Sequence, residues 1–464
     1  MRILRLVCAL LLAAAPAGAQ GVRPPAFDSL AAEATAWLQG YLRVRTVNPP
    51  GSETEGATFL QAILAGEGIP SEIFEMSPGR GSLYARLPGT GARRPLVLLS
   101  HIDVVPADSA RWRYPPFAGV IADGALWGRG AQDTKGLGIV QVAMMVALKR
   151  RGIVLSRDLI LLANPDEELG SNGALWFSTH KAELLGNAEF LLNEGGENIM
   201  GTDGRTVSYG LDATEKVPYW VRLTVRGEPG HGSRPTPGNP ALRLSRVLGR
   251  IAEWETPLVL TPPAAAYLQA LSTRETNPIY RAWLADPAAA LKDSAAAAWL
   301  TTDRYQNAIL RNTVTITVLK GSTSTNVIPA EATAELDVRL LPGQRPEDFV
   351  AQLRAVMQDS TVEITPLSRL RAARSSPVNG PVMDALTAAV AAMDPGTLIL
   401  PKMLTGFTDS YDYRAIGIDS YGIESWRTTE AIAATTHGND ERVPLQEIRF
   451  GVEFYYRIVE QLAR

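Results

Sequence analysis

The sequence predicts an α/β fold, a mostly parallel sheet flanked by helices with a smaller α+β domain inserted after Gly196. Three observations lead there. The short aliphatic runs Pro95–Ser100, Asp158–Ala163 and Glu189–Asn193 read as strands buried on both faces. Helical patterns separate them, as parallel βαβ units require. After Gly196 the texture changes to alternating, half-buried strands such as Val217–Arg226.

Taken in order, the chain opens with a basic start, Met1 to Arg5, a short apolar run from Leu6 to Ala15 and a small-x-small exit at Ala17–Ala19. These are the parts of a secretory signal peptide over residues 1–19, cut after Ala19. The run is too short for a stable membrane anchor, so a secreted or periplasmic location is expected. The single cysteine, Cys8, lies inside that segment, which leaves the mature chain no disulfide and no thiolate metal ligand.

Phe27–Gly66 is expected to be helical, broken at Asn48–Gly51, with Trp37, Leu38, Tyr41 and Leu42 at core spacing. Strands follow near Ser71–Glu75 and Ser82–Leu87. The Ala-rich segment Ala285–Ala298 reads as helix. A chain of 464 residues exceeds one ordinary core, and 46% hydrophobic with 20% charged residues is globular. A net charge of -3 excludes a nucleic-acid partner, because there is no basic excess to neutralise phosphates.

Chemistry gathers where the buried strands end. The first ends in Ser100-His101-Ile102-Asp103, where the histidine can bind a metal and the carboxylate can orient a ring nitrogen. Taken alone, the pair also reads as an ordinary surface histidine. Asp133 stands among glycines immediately before a helix, where capping is its plain alternative. The second run ends in Asp166-Glu167-Glu168, acidic groups that repel unless a cation or shared proton compensates, or unless the turn is simply solvated. The third ends in Glu194-Gly195-Gly196. Ligands of open α/β sheets sit at the carboxyl ends of strands, and here three strands deliver such groups to one edge.

The motifs Ser100-His-Ile-Asp-Val-Val-Pro106, Gly128-Arg-Gly-Ala-Gln-Asp-Thr-Lys-Gly136, Asp166-Glu-Glu168, Glu194-Gly195 and His437-Gly-Asn-Asp-Glu441 resemble, in order, those of the M20 metallopeptidases and N-acyl-amino-acid amidohydrolases. The resemblance runs from about Trp37 to the C-terminus. It implies a dinuclear site holding two zinc ions, with cobalt or manganese as substitutes. His101 and Glu194 would complete one site, Glu168 and His437 the other, and Asp133 would bridge them. Glu167 would be the general base and Asp103 the partner of His101. The implied catalytic domain covers 20–212 and 372–464, and the lid or dimerisation domain covers 213–371.

In the lid, the resemblance assigns His231 to polarising the scissile carbonyl and Asn326 and Arg339 to gripping a substrate carboxylate. Arg339 alone would also fit an edge-strand salt bridge. Gly406, in Gly406-Phe407-Thr408-Asp409, would line the pocket, with phenylalanine where a small residue is usual. The implied substrate is a short peptide or N-acyl amino acid with a free carboxylate, and a homodimer through the lid is implied as well. A non-catalytic binding scaffold is the rival class, but no ligand or base is missing. A serine hydrolase is disfavoured by the absence of a Gly-x-Ser-x-Gly elbow.

Overall fold

Alternation along the aliphatic run Leu96–His101 feeds two separate cores. Leu96 and Leu98 belong to one buried cluster and Val97 and Leu99 to another, and the same split holds for Leu161 and Leu162 and for Leu192 and Leu191. This is why these runs carry no polar alternation: both faces of each strand are covered. Each fully buried leucine contributes roughly 1.5–3 kcal/mol of transfer free energy. The chain, described over residues 26–369 and 374–464 of the computed structural model, builds its larger domain around that strand. The expected signal peptide lies outside the described residues.

Leu96–His101 runs parallel to Leu159–Asn164 on one side and to Phe190–Asn193 on the other. Asp419–Gly422 extends the parallel centre beyond Phe190–Asn193. The flanks turn antiparallel: Arg80–Leu87 pairs with Leu159–Asn164, and Asn198–Met200 pairs with Thr206–Glu215. The result is a ten-stranded mixed sheet with a parallel middle. Helices Phe27–Arg43, Lys135–Arg150, Pro381–Met393 and Leu445–Ala463 cover one face; Asn172–His180 and Ser410–Ala415 cover the other.

The second domain is a five-stranded antiparallel sheet backed by helices Pro240–Ala252 and Pro346–Met357. The chain passes into it at Lys216, since Thr206–Glu215 belongs to the large sheet and Val217–Pro218 to the small one. Lys216 is fully buried and donates to Ala308 O, Arg311 O and Thr313 Oγ1 at 2.8, 2.9 and 3.0 Å. The helices between Pro262 and Ile309 form their own cluster, which takes in Leu341 and Met403, the latter from the large sheet.

Two sequence expectations are corrected here. Val217–Arg226 is not one strand: it breaks after Pro218, which has no N–H for the ladder, and resumes at Val221. Trp220 sits in the break, its N–H on Ser368 Oγ at 2.9 Å. Ala285–Ala298 is not one helix either. Asp286 and Asp293 each cap a new start, giving Pro287–Ala290 and Ser294–Leu300.

Candidate metal centre and substrate cavity

His101 ends its strand buried, with Nδ1 2.9 Å from the carbonyl of Asp103. Donation to that carbonyl leaves Nε2 with its lone pair directed outward. Nε2 lies 2.9 Å from Asp133 Oδ1 and 3.8 Å from Glu194 Oε2. The second imidazole, His437 Nε2, lies 2.9 Å from Asp133 Oδ2 and 3.1 Å from Glu168 Oε2. Asp133 therefore offers one oxygen to each group. The groups His101, Asp133, Glu194 and Asp133, Glu168, His437 each bring their donor atoms within 4.8 Å of one another.

That geometry fits a pair of divalent cations. Metal–ligand bonds of about 2.0–2.1 Å in tetrahedral array put neighbouring ligand atoms about 3.3 Å apart, which the 2.9–3.8 Å separations bracket. Only nitrogen and oxygen donors are present. Asp133 does not serve as a cap: Thr134 holds the N-cap position of helix Lys135–Arg150, which has no side-chain cap.

Charge gives the same answer. Asp133, Glu167, Glu168 and Glu194 face one cavity of about 290 Å³ together with His437, Arg339, Gly406, Phe407 and Thr408. Burial, reinforced by the charge of Glu194, pushes Glu167 well above the ordinary carboxylate range, and burial does the same to Glu194. Burial would also raise Asp133, but its contacts with the imidazoles of His101 and His437 hold it below its usual value. His437 in turn is pushed up to about 10 by its bonds to Asp133 and Glu168. Such crowding of carboxylates calls for positive charge that divalent cations supply.

The loops that carry these groups are tied together. Gly195 and Gly196 adopt φ of +114° and +85°, turning the chain sharply after Glu194, and Gly196 N–H donates to Asp212 at 2.7 Å. Asp103 makes its carboxylate contacts elsewhere than expected. Its Oδ1 stays 3.6 Å from His101 Nδ1, too long for a hydrogen bond. Its oxygens instead accept the N–H groups of Glu167 and Glu168, and Asn48 Nδ2 at 2.9 Å.

Glu441, which closes the His437-Gly-Asn-Asp-Glu441 motif, ties two loops of the site together. It is fully buried and accepts from Gly130 N, Gln132 N and Asp133 N at 3.0, 2.7 and 3.2 Å, besides Arg129 Nη1 at 2.5 Å. Arg129 Nη2 also donates to Gly438 O at 2.7 Å. This pair thus holds the Asp133 loop to the His437 loop. Its signal in the sequence is an acidic residue four positions after His437, and its partners lie about 310 positions earlier.

Arg339 lines the cavity from the second domain. Its Nε and Nη2 donate to Asp337 at 2.7 and 3.1 Å, so the salt-bridge alternative is present. Nη1 is buried and has no hydrogen-bond partner. Gly406 lines the same cavity, where a Cβ would meet nothing nearer than Leu404 Cγ at 3.9 Å. His231 and Asn326 are not brought in. His231 lies in a two-stranded ribbon and Asn326 just before its second strand, joined by Gly232 N–H to Asn326 O at 2.7 Å; both are exposed, and neither lines the cavity. No helix among the described residues is long and apolar enough to cross a membrane.

Residues 97–461 match peptidase family M20/M25/M40. Aminoacylase-1A of Rattus norvegicus is 29% identical over 430 residues, covering 91% of this chain and 93% of its own. A probable carboxypeptidase S-like protein of Dictyostelium discoideum is 27% identical over 389 residues, covering 79% of this chain and 71% of its own. An M20 family metallo-carboxypeptidase of Sulfolobus solfataricus superposes with a TM-score of 0.70 at 18% identity, covering 92% and 98% of the two chains.

Proposed function

The chain belongs to peptidase family M20/M25/M40 and is a hydrolase of amide or peptide bonds, and from that premise we propose that it is a dizinc enzyme cleaving an amide next to a free carboxylate. The observation that carries this reading is the sharing of Asp133 between two donor groups, with Glu167 beside them in neither group. His101 and Glu194 would hold one ion, Glu168 and His437 the other, and Asp133 both. Zinc suits two imidazoles and three carboxylates without sulfur, with cobalt or manganese as substitutes. When bound, the ions supply Lewis acidity toward a carbonyl and acidify water.

The protein's own groups do the rest. Glu167, raised by burial, takes a proton from the attacking water and returns it to the leaving nitrogen. Arg339 Nη1 holds the substrate carboxylate, its fork already aligned by Asp337. The relatives' names span an aminoacylase and carboxypeptidases, and both kinds of substrate present that carboxylate. The decisive experiment pairs elemental analysis with hydrolysis assays on N-acyl amino acids and dipeptides. Two metals per chain and activity lost to chelators are expected, and full activity without metal would sink the proposal.

We propose further that the lid pairs two copies, so that the ribbon bearing His231 and Asn326 serves the cavity of a second chain. Mixing a Glu167→Gln protein with a His231→Ala protein should then restore activity that neither has alone. The proposed export of the chain, with residues 1–19 removed, is checked by the mass of the protein recovered outside the cytoplasm.

A further inference from the structure

A second cavity, of about 200 Å³, opens beside the first and shares Phe407 with it. Its apolar wall is Leu169 from the catalytic domain, Pro218, Trp220 and Leu367 from the lid side, and Phe407 and Tyr411. Three of these are large side chains left open to solvent: Leu169 is 53% exposed, Leu367 40% and Trp220 37%. Large apolar surface that converges on a hollow gains free energy when an apolar group covers it. An apolar cavity of about 150 Å³ holds a benzene ring, so this one has room for a leucyl or phenyl group.

Its position identifies the occupant. The guanidinium of Arg339 lies between the rings of Trp220 and Phe407, at 5.5 and 5.6 Å from their centroids. Both rings also wall the second cavity. A substrate whose carboxylate meets Arg339 and whose amide nitrogen points toward Glu167 would lie in the first cavity, which both residues line. The second cavity joins it at Phe407, within reach of the side chain on the intervening α-carbon.

We propose that this second cavity is the side-chain subsite, and that it selects an apolar side chain, aliphatic or aromatic, on the residue that carries the free carboxylate. The inference rests on the amide-hydrolase reading above and deepens it. A charged side chain would lose its hydration against Leu169, Trp220, Leu367 and Phe407. At the polar end, Arg369 already donates to Asn172 Oδ1 at 3.0 Å.

The test uses the full-length, metal-loaded enzyme and two matched series, N-acetyl-Xaa and Ala-Xaa, with Xaa as Gly, Leu, Phe, Asp and Lys. Leu and Phe should exceed Gly in kcat/KM by at least about tenfold, the lower end of what burying such a side chain gives. Asp and Lys should fall at or below Gly. Leu367→Asp should lower the Leu-to-Gly ratio at least about fivefold. Leu367→Ala should lower it less, and reads the same ratio if the Asp variant does not fold. Hydrolysis in which Gly or Lys matches Leu overturns the subsite and leaves the amide-hydrolase reading standing. No hydrolysis of either series overturns both.

Discussion

Asp103 accepts the backbone N–H of Glu167 on Oδ1 at 3.1 Å and that of Glu168 on Oδ2 at 3.2 Å. One carboxylate thereby sets Glu167 and Glu168 relative to the strand that carries His101. Asp103→Asn replaces one acceptor by a donor facing an N–H. It should lower metal affinity by about 10–100-fold, as loss of groups behind the ligands commonly does. Metal titration followed by inductively coupled plasma analysis checks it. Unchanged affinity together with unchanged kcat would mean the turn at Asp166 holds itself.

The paired glutamates look alike in sequence and should behave differently. Glu168 faces His437 Nε2 at 3.1 Å, while Glu167 belongs to neither ligand group. Glu168→Ala should lower metal content. Glu167→Ala should leave it nearly intact and cut kcat by ~10²–10⁴-fold, the usual share of a general base. Equal metal loss in both variants would show that the pair is assigned wrongly.

Much of this site was legible because it is local. His101, Asp166–Glu168 and Glu194 each stand at or just past the end of a short aliphatic run, whose length and composition mark it as a strand covered on both faces. The rest depends on partners far apart in the chain. Glu441 meets the Gly130–Asp133 loop across about 300 positions, which no window of sequence contains. Likewise nothing before Pro218 says that Trp220 will leave its strand and stack on Arg339. His231 and Asn326 show the converse. Their motifs were plain, yet one chain keeps them outside its own cavity.

Metal should stabilise the fold as well as the reaction. Two ions that bind only the native arrangement raise stability by RT ln(1 + [L]/Kd) for each site, about 2.7 kcal/mol at a hundredfold excess over Kd. Chelation should therefore lower Tm by several degrees, and zinc should restore it. A Tm indifferent to chelator would contradict the donor geometry of the Asp133 centre.

Lys216 makes stability depend on pH at the junction of the two domains. Burial pushes its ammonium down to about 7, against about 10.4 in the unfolded chain. Between those values the unfolded state binds more protons than the native one, so stability rises with pH across that window. Denaturant unfolding at pH 7 and pH 9 should show the gain, roughly 1 kcal/mol or more. Lys216→Met should flatten that slope, besides leaving Ala308 O and Arg311 O without their donor.

Arg339 is expected to decide whether substrates must carry a carboxylate. Arg339 lines the cavity; Asp337 takes two of its donors, the rings of Trp220 and Phe407 lie 5.5 and 5.6 Å from its guanidinium, and Nη1 is buried without a hydrogen-bond partner. A charge-assisted bond to a carboxylate answers that vacancy. The comparison to make is an N-acyl amino acid against its C-terminal amide. Wild type should prefer the acid strongly, by about 10–150-fold for a hydrogen bond to a charged group worth roughly 1.5–3 kcal/mol. Arg339→Ala should lose most of that preference while keeping its metal. Arg339→Lys keeps the charge but not the fork, so it should recover only part. Because the residue sits on the lid, KM and kcat should both change. If Arg339→Ala still rejects the amide as sharply as wild type, another cation holds the carboxylate, and the orientation assigned to the substrate is wrong.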